Sequence, residues 1–283
     1  MRRGRRTIGE LRAVSGPGYR GVVHVREDGP LDAPAILLLH GFSGSLHWFD
    51  LVVPMLADRF RVIRVDLLGH GATGGRPADA PLQARMVEAV LAALEVTDAT
   101  AVGHSFGADV AVELAERCDR IARLVIVAQA PDYSDATLPR GSALMTVPVV
   151  GYGLGRTFQA AAMLIGAASA LGRGHPAGSE LARQGLQDFR ALRVGMFRVV
   201  LVDRRDRMAR RPLDAQVRAA GKPTLAILGG RDHFYGARAE PRYRAAGAEV
   251  TVLPDCGHSP LVELPAEAAA LVAQFAARAA VES

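Results

Sequence analysis

The chain is poor in cysteine, with only Cys118 and Cys256 among its 283 residues. Two cysteines cannot build a disulfide framework, so the fold must rest on a core, and a reducing cytoplasm is the expected compartment. Aromatic residues are scarce at 5%, and Lys222 is the only lysine. A nucleic-acid groove wants clustered cations interleaved with stacking rings. Here the arginines are dispersed and the net charge is a modest +5, so no nucleic-acid partner is expected. A long unbroken apolar run is also missing. The most apolar window, 143–171, is interrupted by Pro148, Gly151, Gly153, Gly155, Arg156 and Gln159, a poor bilayer span. The basic start, Met1 to Arg6, leads into Glu10 and Arg12 and not into an apolar stretch, so it reads as a tail and not as a secretory signal. His40, His70, His104, His233 and His258 fall on separate loops without a helical H-x-x-x-H pair, so neither a metal nor another cofactor is expected.

What is present is a recurring short apolar run. Ala35–Leu39 is continuously apolar, the mark of a strand buried on both faces, and similar runs stand at 62–65, 101–102, 124–127, 225–228 and 250–253. A further strand is expected at 20–26. Helical patterns lie between, at 48–57, 80–94, 108–117 and 266–280. The alternation predicts an α/β fold: a mostly parallel central sheet with helices on both faces. It stops between 132 and 218, a stretch rich in Gly, Ala, Met and Arg. The expected organisation is therefore a core of 1–131 and 219–283 with an inserted helical cap at 132–218.

Gly103-His104-Ser105-Phe106-Gly107 matches G-x-S-x-G between an apolar run and a helix, the setting the motif requires. A strand turning sharply into a helix projects the serine from the sheet edge, and the helix start aims N–H groups at developing negative charge. A serine hydroxyl needs a base in contact. The order Ser…Asp…His places Asp232 after the run at 225–228 and His258 after the run at 250–253, both on the edge that carries Ser105. His258 would take the serine proton, and Asp232 would fix its tautomer. Taken alone, Ser105 is a turn serine. Three matching sites in chain order weigh against that. Asp132, after the run at 124–127, is the main rival acid, and Asp255 has a turn as its plainer role. Cys256 has no base of its own. His40, His70 and His104 are read as loop-holding residues.

The loop His40-Gly41-Phe42-Ser43-Gly44 follows the run at 35–39, and the N–H groups of Phe42 and Phe106 would form an oxyanion hole. Ser43 is at least as well explained by loop stabilisation as by a donor role. Trp48 with the cap residues Met145, Met163 and Leu164 are candidates for the pocket, although packing of the cap on the sheet accounts for most apolar residues there.

The set LLLHGF, VIRVDLLGHG, VGHSFGADVA, LAILGGRDHF and DCGHSPLVELP resembles the α/β-hydrolase superfamily, esterase and lactonase-like branch, over nearly the whole chain outside the cap. In that family the loop at Asp66–Gly71 is structural, and relatives that dehalogenate or open epoxides carry aspartate where Ser105 stands. The resemblance implies hydrolysis of a small hydrophobic ester or lactone through an acyl-serine. The same triad also serves carbon–carbon hydrolysis, with Arg190 or Arg193 as carboxylate clamp, cofactor-free perhydrolysis, acyl transfer, and a slow-turnover receptor. The sequence does not separate these.

Overall fold

The computed structural model describes residues 9–134, 136–137, 146 and 179–278. Its strands are β1 (Glu10–Gly16), β2 (Tyr19–Asp28), β3 (Ala35–Leu39), β4 (Arg61–Val65), β5 (Ala99–His104), β6 (Ile121–Val127), β7 (Thr224–Gly229) and β8 (Glu249–Leu253). They form one sheet in the order β1-β2-β4-β3-β5-β6-β7-β8. β1 and β2 pair antiparallel, as do β2 and β4, while β3 to β8 run parallel. The mostly parallel sheet expected from the apolar runs is present.

The period of two within β3 assigns its side chains to opposite layers. Leu37 and Leu39 join one core and Ile36 and Leu38 the other. All four are fully buried, each stabilising the fold by about 1.5–3 kcal/mol. The first core packs under α2 (Ala80–Ala93) and α3 (Phe106–Arg117), and the second under α1 (Val53–Leu56) and α10 (Pro265–Ala277). α2 starts cleanly because Asp79 accepts from the Ala80 N–H (2.7 Å).

One local expectation is corrected, and one strand escapes the sequence reading. The pattern at 48–57 is not one helix but a 3₁₀ turn, Leu46–Phe49, followed by the single turn α1, because Pro54 cannot donate a hydrogen bond back into an earlier turn. β1 was invisible to periodicity: only Val14 in it is buried, as suits an edge strand.

Within 132–218 the described elements are α4 (Ser179–Ala191), α5 (Gly195–Arg198), a π-helical turn (Val199–Asp203), α6 (Arg204–Arg210) and α7 (Leu213–Ala220). α7 packs against α3 of the core, so the expected boundary at 218/219 falls inside a helix that lies on the core. Two short helices complete the fold, α8 (Glu240–Ala245) and α9 (Pro260–Glu263).

Candidate active site

Ser105 sits between β5 and α3 with φ 49° and ψ −122°, a conformation a non-glycine residue adopts only at a cost of about 1–3 kcal/mol. The surroundings enforce it. The Ser105 N–H donates to the Val127 carbonyl (2.9 Å), and its own carbonyl accepts from Ala108 (2.8 Å). A Cβ on Gly107 would lie 2.1 Å from the Leu39 carbonyl oxygen, so the elbow closes only with glycine there.

The other two loops meet by backbone contact. Gly230 N–H donates to Leu253 and Arg231 N–H to Cys256, both at 2.8 Å. A Cβ on Gly229 would lie 1.9 Å from the Gly257 carbonyl oxygen, so the loops after β7 and β8 approach this closely only because position 229 has no side chain. The approach brings His258 Nδ1 to 2.7 Å from Asp232 Oδ2, and His258 Nε2 to 3.0 Å from Ser105 Oγ. Asp232 Oδ1 accepts from the N–H groups of Phe234 (2.8 Å) and Tyr235 (3.3 Å). Burial works to raise the Asp232 pKa, but His258 and those N–H groups outweigh it and hold the carboxyl below its ordinary value. The site therefore holds a buried carboxylate, an imidazole oriented by it, and a hydroxyl in reach of the other ring nitrogen.

The rival acids are occupied elsewhere. Asp132 pairs with Arg242 (2.7 Å) and accepts from Ser134, while Asp255 pairs with Arg231. Burial pushes the Cys256 thiol up, away from thiolate chemistry. Phe106 opens α3, so its N–H has no acceptor within the helix. Gly41, beside Phe42, is close enough that a Cβ there would stand 3.1 Å from Ser105 Cβ.

The three loop histidines are buried and hydrogen-bonded. His40 Nε2 accepts from Leu67 N–H (3.0 Å) and its Nδ1 faces the Gly41 carbonyl (2.9 Å). His70 Nδ1 donates to Leu68 (3.1 Å). His104 Nε2 donates to the His258 carbonyl (2.8 Å). Burial, aided by a neighbouring histidine, pushes His70 and His104 down to about 3, so both are neutral. Trp48 stacks on His104, with centroids 5.5 Å apart, and so supports the residue before Ser105. Met145, Met163 and Leu164 lie outside the described residues. Arg190 and Arg193 have exposed side chains.

Sequence reasoning missed several notable residues, two of which border the site. Phe234 and Tyr235 place their rings 4.9 and 5.7 Å from the His258 ring. Arg204 is fully buried and binds Asp109 of α3 (3.0 and 2.9 Å) and the Ala130 carbonyl (3.0 Å). Asp188 of α4 is buried, and desolvation raises its carboxyl to about 6. An available signal was the pair Phe234-Tyr235, which begins two residues after the candidate acid; a buried arginine has no sequence signature. A groove of about 520 Å³, lined among others by Asp32, Arg61, Thr97 and Arg123, lies at the opposite, amino-terminal edge of the sheet and carries none of these groups. Among the described residues no group of three or more His, Cys, Asp or Glu could hold a metal ion, and no helix is long and apolar enough to cross a membrane.

A sheet of this order with a strained serine at its carboxyl edge defines a class, and comparison with known proteins agrees. The model of the alpha/beta hydrolase family matches residues 36–271, and the chain belongs to that family. It is similar to a pimeloyl-[acyl-carrier protein] methyl ester esterase of Nitrosomonas europaea, 26% identical over 86% of this chain and 95% of that one. It is also similar to an uncharacterised protein of Mycobacterium bovis, 35% identical over 47% of this chain but only 42% of the relative's length. Among solved structures, the enol-lactonase of Burkholderia xenovorans shares the fold with TM-score 0.75 at 21% identity, covering 90% of this chain and 96% of that one. A thermophilic esterase of Thermogutta terrifontis does so with TM-score 0.74 at 20% identity, covering 96% and 98%.

Proposed function

We propose that the protein is a serine hydrolase that cleaves a small hydrophobic carboxylic ester through an acyl-serine intermediate. The observation that carries this reading is the unbroken relay from Asp232 Oδ2 through His258 (2.7 Å) to Ser105 Oγ (3.0 Å). His258 Nε2 removes the hydroxyl proton as Ser105 Oγ attacks the ester carbonyl. The resulting oxyanion takes hydrogen bonds from the N–H groups of Phe42 and Phe106. Collapse breaks the bond to the alcohol oxygen, which leaves with the proton held by His258. Water then attacks the acyl carbonyl as it gives a proton to His258, and collapse breaks the acyl–Oγ bond while His258 returns that proton to Ser105 Oγ, releasing the acid. Asp232 keeps the Nδ1–H tautomer and stabilises the imidazolium. The insertion acts as a cap over this edge. The unbridged cysteines favour the cytoplasm as the compartment.

The resemblance to a methyl ester esterase supports an ester over the other chemistries the triad can run. The test is a fluorophosphonate probe with a panel of p-nitrophenyl esters, and a dienone acid beside them. The reading expects one label, at Ser105, and turnover of esters. A label that survives Ser105→Ala, or cleavage of the dienone acid alone, would overturn it.

A further inference from the structure

The insertion returns to the core along one continuous helical path whose buried side chains are unevenly spaced. Met196, Val199, Arg204 and Met208 point inward, at steps of three, five and four residues. An α-helix regains a face after three or four residues, not five. The five-residue step coincides with the π turn at Val199–Asp203, a rare conformation that often marks functional positions. The wider turn lets Arg204 swing inward to Asp109 on α3, the helix that follows Ser105. The segment before the turn is pinned as well. Arg193 N–H donates to the Gly69 carbonyl (2.8 Å), and Met196 lies so close to Gly69 that a Cβ there would come within 2.8 Å of its Cγ. Phe197 is thus held from both sides.

Its ring meets Phe42 edge to face, with centroids 4.9 Å apart at 78°, and stands 6.2 Å from Phe189. Phe42 follows Gly41, which abuts Ser105. The general acid His258 must reach the departing alcohol, so the alcohol lies toward His258 and its neighbours Phe234 and Tyr235. The Phe42–Phe197 pair adjoins Ser105 through Gly41.

Resting on the acyl-serine reading, we propose that Phe197 is a specificity-determining residue: with Phe42 it walls the acyl side and restricts the enzyme to short, compact acyl groups. A longer chain must displace a ring whose backbone is fixed at Gly69 and through Arg204, and so must give up an aromatic pair and its packing. Discrimination of this kind is binding shared by ground and transition states, so it shows mainly in KM.

The experiment compares p-nitrophenyl acetate, butyrate and octanoate on wild type, Phe197→Ala and Phe197→Leu, with fluorophosphonate labelling of each protein. Wild type is expected to favour the short esters. In Phe197→Ala the octanoate-to-acetate ratio of kcat/KM rises at least about tenfold, carried mostly by KM, since even one methylene in an apolar pocket is worth about tenfold or more. Phe197→Leu keeps apolar packing and carries the test if the alanine variant does not fold; it is expected to shift the ratio in the same direction by a smaller factor. A ratio unchanged in the folded variants, with Ser105 labelled, overturns the wall alone. Absence of label at Ser105 in wild type overturns the acyl-serine reading and the wall with it.

Discussion

Among the described residues, two places pair a buried aspartate with a histidine at the same distance. Asp66 Oδ2 lies 2.7 Å from His24 Nδ1, and Asp232 Oδ2 lies 2.7 Å from His258 Nδ1. Both carboxylates also accept two backbone N–H groups, Asp66 from Leu46 and Ala72, Asp232 from Phe234 and Tyr235. What differs is the far side of the imidazole. His258 Nε2 faces a hydroxyl on a strained elbow. His24 Nε2 faces the edge-strand approach at Gly9, where a Cβ would come within 2.4 Å. A carboxylate–imidazole pair is thus a common way to hold two segments together. It becomes a candidate for catalysis only when a third group is aimed at the free nitrogen.

The largest expected effect separates the two pairs by activity. Ser105→Ala and His258→Ala should each lower kcat on the best ester by roughly 10⁴–10⁶-fold, because members of such a unit act together. Steady-state hydrolysis with active-site titration checks this. Retention of even a hundredth of wild-type kcat in Ser105→Ala would place the chemistry elsewhere.

Next comes the acid. Asp232→Asn should cost roughly 10⁴-fold in kcat by favouring the wrong tautomer of His258. Asp132→Asn should leave kcat nearly untouched, since Asp132 is engaged with Arg242 and not with His258. The reverse ranking in the same assay would move the acid to the loop after β6.

A smaller effect, on stability, belongs to the other pair. Burial alone would raise Asp66, but the hydrogen bonds from His24, Leu46 and Ala72 hold it at about 2, against 3.8 ordinarily. A folded-state pKa below the unfolded one adds stability that is present above pH 3.8 and lost as pH falls from there toward 2. The difference corresponds to about 2 kcal/mol. Urea unfolding at pH 5 and at pH 2.5 should therefore show wild type losing more stability on acidification than Asp66→Asn. Equal losses in the two proteins would show that Asp66 does not titrate as its surroundings dictate.

How much of this was legible beforehand depends on whether a feature is local. The apolar runs from β3 to β8 are consecutive residues, and the elbow is five residues with two obligatory glycines, so both could be read directly. Asp232 and His258 were reachable because a parallel sheet sends every strand's carboxyl end to one edge. β1 was not, since an edge strand with one buried residue leaves no pattern. The Arg204–Asp109 contact joins residues 95 apart through a π turn that no periodicity announces. Phe197 belongs to the same blind region: the role proposed for it rests on which ring it meets, and that is decided by tertiary packing.

The smallest expected effect tests whether the His24–Asp66 pair is purely structural. His24→Ala removes one hydrogen bond to a charged acceptor and leaves Asp66 with its two N–H donors. Such bonds are worth about 1.5–3 kcal/mol, and residual satisfaction of the carboxylate puts the loss at the low end. The His24 backbone would be undisturbed, because its N–H goes to Thr73 Oγ1 (2.8 Å) and its carbonyl accepts from Asp66 N–H (3.0 Å). The Asp66 loop should then keep its path, and with it the His40–Leu67 contact behind the loop at 40–44. Denaturant midpoints should fall modestly while kcat/KM per titrated active site stays within about twofold of wild type, as for a contact outside the catalytic unit. A tenfold fall in kcat/KM at full folding would mean that the two pairs are coupled through the Asp66 loop and that the second is part of the machinery of the first.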